Sequence, residues 1–163
     1  MLREPLLTDA PAIQILRSDK TVNKYLNRPE KTSLQEAELF LENIRRGMNA
    51  GEAYYWIITP VSLPEKVMGT ICLWNLNKAA QSAEIGFELL PCFHGKGFMQ
   101  EAVQEIINYG HNLLHLKVIT AFVHKENNAS VKLLLKNKFC PDETGKYNTE
   151  KDTAELSCFY LCL

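Results

Sequence analysis

The 163-residue sequence lacks several features that would assign it to a specialised class of protein. It has no excess of basic residues, since 18 Lys and Arg are balanced by 19 Asp and Glu, which argues against a broad contact with nucleic-acid phosphates. No apolar run approaches the roughly 18 residues of a membrane span. The first dozen residues do not follow the pattern of a secretory signal. We therefore expect a cytoplasmic protein that binds neither nucleic acid nor membrane.

Motifs for metal binding and for redox chemistry are also missing. The five cysteines are odd in number and include no C-x-x-C pair, which excludes a zinc ribbon and a thioredoxin-like site. Most of them fall in apolar, strand-like segments, as expected of reduced and buried thiols. His111 and His115 are four residues apart but lack the glutamate of the H-E-x-x-H metalloprotease motif. The sequence therefore predicts no metal site.

What is present is the composition of a globular domain, with 46% hydrophobic and 23% charged residues. Hydrophobic periodicity predicts the order β, α, α, three β, α, β, α, β, β. Three consecutive strands with short connections predict an antiparallel meander. We expect an α/β (α+β) fold, a single domain over 1–163, with a mixed, mostly antiparallel central sheet and helices on both faces.

Several local patterns predict where individual helices and strands begin and end. Leu2–Leu7 is predicted to be a short edge strand because Pro5 interrupts it. Ser33 and Glu36 form the pattern of a capping box at the start of a helix. Strands are predicted over Tyr54–Thr59 and Lys66–Leu76, which form a hairpin, and over Ala154–Leu161, after a polar loop at 142–152.

The most informative stretch is Ala83–Asn112, in which a strand is followed by a glycine-rich loop and an amphipathic helix. The loop His94–Met99, named the glycine loop below, carries Gly95 and Gly97 directly before the helix. Backbone N–H groups at a helix start have no intrahelical partner, and glycine leaves them accessible to an anion such as phosphate. Residue spacing alone does not distinguish such an anion site from an ordinary tight connection between a strand and a helix. The glycine loop matches neither a Walker loop nor the G-x-G-x-x-G dinucleotide fingerprint.

The order of these segments resembles the GNAT superfamily of acyl-CoA-dependent N-acetyltransferases, in particular its RimJ/RimL-like branch. The resemblance rests on AEIGFEL, PCFHGKGFMQEA, VITAFV and NNASVKLLLKNKF in that order. The family motif Gln/Arg-x-x-Gly-x-Gly/Ala is matched from Cys92 to Gly97, with cysteine in the first position. The resemblance implies that acetyl-CoA is the co-substrate and that its pantetheine arm runs along the main chain of Phe87, Glu88 and Leu89 as an added strand. It also implies that the coenzyme A diphosphate is held by the backbone N–H groups of His94, Gly95, Lys96, Gly97, Phe98 and Met99.

A second family motif is matched at Asn127 and Ser130. The resemblance implies that Asn127 contacts the pantetheine region and that Ser130 assists, while helix capping by the same residues is the alternative. In many relatives a tyrosine seven residues after this asparagine protonates the departing thiolate. Leu134 occupies that position here, so the proton source stays open between water and another residue, with Tyr147 and Tyr160 as guesses.

Glu84 and Glu88 are the candidates for a general base. An amine nucleophile is mostly protonated near neutral pH, and each unit of pKa above ambient pH costs about 1.4 kcal/mol before attack. Glu84 resembles the carboxylate used as base by histone-acetylating relatives, and Glu88 is its rival on the same strand face. The alternative for each is a solvated residue on the polar side of the strand.

The resemblance implies an N-acetyltransferase that moves an acetyl group from acetyl-CoA directly to a primary amine in a ternary complex, without a metal. The acceptor is a protein or peptide N-terminus or a small amine, and the chain is a monomer or a homodimer. An acceptor groove is expected between residues 22 and 51 and the strand at 54–56, where Glu36, Glu38 and Glu42 either line the groove or form a solvated helix face. The alternatives are a non-catalytic acyl-CoA-binding regulatory module and an interaction protein without cofactor.

Overall fold

The computed structural model describes residues 1–147 and 155–163, and its strands form one seven-stranded sheet. The strands are β1 (Leu2–Arg3), β2 (Tyr54–Ile58), β3 (Gly69–Asn77), β4 (Ser82–Leu89), β5 (Val118–His124), β6 (Cys140–Pro141) and β7 (Leu156–Cys162). Their order across the sheet is β1-β2-β3-β4-β5-β7-β6. Only the β4–β5 pair is parallel in this part of the chain, and the others are antiparallel. The predicted mixed, mostly antiparallel α/β sheet is confirmed.

The helices lie on both faces of the sheet, as predicted. They are α1 (Ala10–Ser18), α2 (Lys20–Asn23), α3 (Leu34–Asn49), α4 (Phe98–Asn112) and α5 (Asn128–Lys136). Helices α1 and α3 pack in a buried cluster with Ile57, whereas α4 and α5 pack in a second cluster with Ile58. Neighbouring residues of a strand point to opposite faces, so the two clusters lie on opposite sides of β2. None of the described helices is both long and apolar enough to cross a membrane.

The capping box at the start of α3 is confirmed. Ser33 Oγ accepts from the backbone N–H of Glu36 at 3.2 Å, and Glu36 Oε2 accepts from the backbone N–H of Ser33 at 2.6 Å. Ala37 and Leu41 form the buried stripe of this helix. Gly51, with φ of 68°, follows the helix end. Helix α3 therefore has its start fixed by side-chain hydrogen bonds and its inner face fixed by burial.

Some predicted bounds differ from the structure. The edge strand β1 ends at Arg3 because the chain turns there, and the Asp9 carboxylate accepts hydrogen bonds from the Arg3 side chain and the Leu6 N–H. Strand β3 begins at Gly69 instead of residue 66, after turns that precede it. The last strand is confirmed from Leu156 onward, while Ala154 and residues 148–152 of the predicted polar loop lie outside the described residues.

Candidate active site

A gap opens between the two parallel strands of the sheet. The parallel ladder has three residue pairs, from Ser82–Val118 to Glu84–Thr120. Beyond these pairs β5 stays paired with β7, while β4 stays paired with β3 as far as Leu89. The edge of β4 from residue 85 to 89 therefore faces β5 without a ladder in the described part of the chain. Ligands of α/β sheets commonly bind outside such carboxyl ends of parallel strands.

The backbone of β4 presents hydrogen-bonding groups to this gap. The N–H of Leu90 donates to the carbonyl of Met68 at 2.9 Å, and bonded pairs alternate along an antiparallel ladder. The main chain of Glu88 consequently bonds to β3, whereas the N–H and C=O groups of Phe87 and Leu89 point toward the gap. The carbonyl of Leu89 already lies 2.8 Å from Nε2 of His94. Phe87 and Leu89, and not Glu88, offer main-chain groups to an added extended segment.

The glycine loop lies at the carboxyl end of β4 and leads into α4. Gly95 and Gly97 have φ of 71° and 84°, in the left-handed region that other residues adopt only with strain. Gly97 is the N-cap of α4 and has no side-chain cap. A Cβ placed on either glycine would meet no heavy atom within 4 Å. The loop backbone is therefore open on the side where these side chains would project.

Six consecutive backbone donors lie at this helix start. The N–H groups of residues 95–100 have no hydrogen-bond partner among the residues that the structure describes, and the first bond of α4 runs from the N–H of Glu101 to the carbonyl of Gly97. The N–H of His94, included in the sequence prediction, instead donates to the carbonyl of Pro91 at 3.0 Å. The Lys96 ammonium donates to the carbonyl of Cys92, in the turn before the glycine loop, at 2.9 Å. Free donors, a helix N-terminus and a lysine together favour an anion.

Asn127 and Ser130 lie across the gap, at the carboxyl end of β5. Asn127 caps α5, because its Oδ1 accepts from the N–H of Ser130 at 3.2 Å. The capping alternative therefore holds, and it leaves the amide Nδ2 of Asn127 without a partner in the described chain. Leu134 is fully buried in the cluster under α4 and α5. No phenol is available at that position.

Glu84 and Glu88 occupy different environments, although sequence spacing made them equivalent. Both carboxylate oxygens of Glu88 accept from the guanidinium of Arg28, at 2.7 and 2.9 Å. A carboxylate engaged twice by a permanent cation is poorly suited to take a proton. Glu84 belongs to the last parallel pair before the gap and is 7% exposed, with Nδ2 of Asn75 at 3.5 Å from Oε2. The alternative of a solvated residue does not apply to Glu84.

Sequence reasoning missed a polar cluster on the sheet face under α1 and α3. Arg17 reaches this face and its guanidinium carbon lies 4.2 Å from the centre of the Phe40 ring. Burial raises the pKa of Tyr55 well above its ordinary value and raises that of Cys72 to about 12, so both side chains are neutral near pH 7. Arg17 follows the buried Ile13 by four positions, a spacing that places it on the inner stripe of α1 and that could have identified it.

The two tyrosines suggested as alternative acids lie together. Their rings are 4.8 Å apart, and Tyr160 of β7 is paired with Thr120 of β5, which in turn is paired with Glu84. Directly paired residues share a sheet face, and two strand spacings amount to roughly 10 Å. Tyr160 therefore lies on the face of Glu84 but not in contact with it. Among the described residues, no group of three or more His, Cys, Asp or Glu side chains could hold a metal ion.

A family model described as an acetyltransferase (GNAT) domain matches residues 1–140 of the sequence. The chain belongs to the GNAT acetyltransferase family. A curated relative, the N-acetyltransferase p20 of Bacillus licheniformis, is 36% identical to this GNAT protein over 133 residues, which cover 82% of this chain and 74% of p20. The family resemblance and the enzyme class predicted from the sequence are confirmed.

Solved structures of GNAT enzymes share the fold. RimL, a ribosomal L7/L12 α-N-protein acetyltransferase solved with coenzyme A, has a TM-score of 0.84 at 18% identity, covering 99% of this chain and 93% of RimL. Spermidine N-acetyltransferase from Vibrio cholerae, solved with coenzyme A and spermine, has a TM-score of 0.81 at 20% identity, covering 99% and 94%. Because RimL and the spermidine enzyme are named for different acceptors, the fold does not identify the acceptor of this GNAT protein.

Proposed function

We propose that this GNAT protein transfers an acetyl group from acetyl-CoA directly to a primary amine in a ternary complex. The observation that carries the proposal is the gap between β4 and β5, which has the glycine loop at its mouth and Glu84 at its closed end. Support comes from the coenzyme A bound in the structures of RimL and of the spermidine enzyme, which share this fold.

The donor is held mainly by backbone groups. The N–H groups of residues 95–100 bind the diphosphate. The Lys96 ammonium gives up its hydrogen bond to the Cys92 carbonyl and donates to a phosphate oxygen instead. The pantetheine arm bonds to the main chain of Phe87 and Leu89 as an added strand, with the amide of Asn127 on the opposite side. In this pose the thioester lies in the gap, where backbone N–H groups of β4 polarise its carbonyl.

The reaction needs one base and one proton donor. Glu84 takes a proton from the acceptor amine, directly or through a water molecule, and the amine nitrogen attacks the thioester carbon. The new C–N bond forms, the C–S bond breaks, and coenzyme A leaves as a thiolate. Since Leu134 has no proton to give, we assign protonation of the thiolate to water, which regains a proton when the attacking nitrogen loses its second one. Positioning of the amine against the carbonyl supplies most of the rate enhancement.

Leu134 also favours a second candidate, a non-catalytic acyl-CoA-binding module. Coenzyme A release from acetyl-CoA, measured with a panel of peptides and small amines, separates the two functions. Turnover with at least one amine is expected. Tight acetyl-CoA binding without turnover on any of them would identify the binding module instead.

The base is tested with Glu84→Gln, which keeps the shape of the buried side chain. We expect kcat to fall by about 10²-fold or more, because the contribution of a positioned base is on the order of 10² to 10⁴. Coenzyme A affinity and thermal unfolding serve as controls and should stay close to the wild-type values. A wild-type kcat for Glu84→Gln would remove Glu84 as the base.

A further inference from the structure

Arg17 lies half-buried at the end of α1 and faces the sheet. Its guanidinium carbon lies over the Phe40 ring, 4.2 Å from the ring centre, in a cation–π contact that uses none of its N–H groups. A guanidinium carries five N–H donors, and those of Arg17 have no hydrogen-bond partner within the described residues. Burial, followed by the charge of Arg28, lowers the pKa of Arg17. The guanidinium is thus partly desolvated without being neutralised.

The neighbouring charges do not neutralise Arg17. Among the residues that the structure describes, Glu88 is the only carboxylate that raises the pKa of Arg17, and both Glu88 oxygens are engaged by Arg28. Nε of Arg28 donates to Asn23 Oδ1 at 2.7 Å, so the guanidinium of Arg28 is held by two partners. Toward Arg17, Asn23 bonds only to the backbone carbonyl, and neither partner bonds to the Arg17 guanidinium. Arg17, Arg28 and Glu88 together carry two positive charges and one negative charge. The unbalanced positive charge lies on Arg17, whose N–H donors have no hydrogen-bond partner among the described residues.

The same face offers no row of carboxylates to a cationic acceptor. Glu36, Glu38 and Glu42 are exposed on α3, while the inner stripe of that helix consists of buried apolar residues. Glu36 is in addition engaged by Ser33. The interpretation of these three glutamates as a solvated helix face is therefore the one that the structure supports, and an acidic groove for a basic peptide is not.

We propose that the acceptor is a primary amine that also carries an anionic group, a carboxylate or a phosphate, and that Arg17 binds this group. The inference rests on the proposed function and deepens it. A planar guanidinium binds either oxyanion with two parallel hydrogen bonds. The charge of Glu88 acts on Arg17. Glu88 is four residues along β4 from Glu84, which is roughly 13 Å at the rise of a strand. The amine and the anion of the acceptor are therefore separated by a distance on the order of 10 Å.

The test uses four amidated tetrapeptides that differ only in the third residue, which is Asp, phosphoserine, Asn or Lys trimethylated on its ε-nitrogen, so that each peptide has one primary amine. We expect kcat/KM for the Asp or the phosphoserine peptide to exceed that for the Asn peptide by about tenfold or more, mainly through KM, as a charge-assisted hydrogen bond requires. The better of the two identifies the anion. The Lys peptide should be the poorest substrate.

Variants of two arginines assign the preference to Arg17. Arg17→Gln should abolish the ratio between the anionic peptide and the Asn peptide, and Arg17→Lys should retain part of it. The matched control is Arg45→Gln, because Arg45 is exposed on α3 and its loss should leave the ratio unchanged. Equal rates for all four peptides, a preference for Lys, or an intact ratio in Arg17→Gln would overturn the inference.

Binding to the coenzyme A complex keeps this inference distinguishable from the proposed function. The same peptides are titrated calorimetrically into protein saturated with coenzyme A. If no peptide is acetylated but the anionic peptide binds more tightly in an Arg17-dependent way, the anion site stands and the catalytic proposal fails. If the peptides bind with equal affinity, or do not bind, while other amines are acetylated, the anion site fails and the catalytic proposal stands.

Discussion

At the scale of single residues, Gly97 combines a conformational requirement with an expected role in binding. Its φ of 84° strains any other residue by roughly 1 kcal/mol, and an alanine Cβ would project into the open space beside the donors of the glycine loop. We expect Gly97→Ala to weaken coenzyme A binding by at least about tenfold, because one hydrogen bond to a charged group contributes about 1.5–3 kcal/mol. Calorimetric titration with coenzyme A measures the loss.

Gly51 provides a matched control for Gly97. Its φ is 68° and a Cβ there would also meet nothing within 4 Å, but it follows α3 and lies outside the glycine loop. Gly51→Ala should lower the unfolding temperature about as much as Gly97→Ala and leave coenzyme A affinity unchanged. Equal affinity losses in both variants would show that strain alone, and not the glycine loop, controls binding.

Single residues also show how far the sequence could predict the site. The period-two pattern correctly placed Glu84 and Glu88 on one face of β4. It could not distinguish them, because the partner that engages Glu88 is Arg28, 60 positions away in sequence. The same limit applies to His94, whose N–H is used by a local turn that no spacing rule reveals. Chemistry that depends on a distant partner requires the fold.

At the scale of an element, the capping box of α3 is a sharp local signal in the sequence. Ser33→Ala removes the hydrogen bond to the N–H of Glu36 and should destabilise the protein by about 1 kcal/mol, which lowers the unfolding temperature by about 2–4 °C. Thermal unfolding measures this change. Ser62, exposed in a loop, is the control, and Ser62→Ala should unfold with the wild type.

The same capping box makes part of the stability depend on pH. Hydrogen bonds from the backbone and the side chain of Ser33 lower the pKa of Glu36 below its ordinary value of 4.5. A lowered pKa in the folded state stabilises the protein above pH 4.5, and this contribution disappears as pH falls through the folded pKa. The difference in unfolding temperature between wild type and Ser33→Ala should therefore shrink on acidification below pH 4.5. Ser33→Ala removes only the hydroxyl bond and keeps the backbone bond to Glu36, so a constant difference would mean that the Ser33 hydroxyl does not lower the pKa of Glu36.

Strand pairings between segments that are far apart in the sequence could not be predicted from local patterns. Hydrophobic periodicity predicted the helices and strands and the meander of β2, β3 and β4, since these depend on neighbouring residues. The gap depends instead on β7, which comes from the end of the chain and pairs with β5 over its whole length. A parallel ladder of only three pairs has no signal in local periodicity, although it creates the space in which the thioester is proposed to lie.

At the scale of the whole molecule, the sheet separates the two proposed substrate sites. The glycine loop and the cap of α5 lie together where β4 and β5 diverge, while the polar cluster with Arg17 lies under α1 and α3. Donor and acceptor can therefore approach Glu84 from different sides, as a ternary complex requires. This arrangement also lets donor binding be measured without knowledge of the acceptor.

Coenzyme A alone should consequently stabilise the folded chain. A ligand at 100 times its Kd adds about 2.7 kcal/mol, which raises the unfolding temperature of a domain of this size by about 5–10 °C. Pantetheine, which lacks the diphosphate, should give a much smaller shift, because it cannot use the donors of residues 95–100. Gly97→Ala, with an affinity at least about tenfold lower, should lose about half of the coenzyme A shift or more, while Gly51→Ala should show all of it from a lower starting temperature. An unfolding temperature that does not respond to coenzyme A would mean that the chain keeps the GNAT fold as an interaction protein without its cofactor.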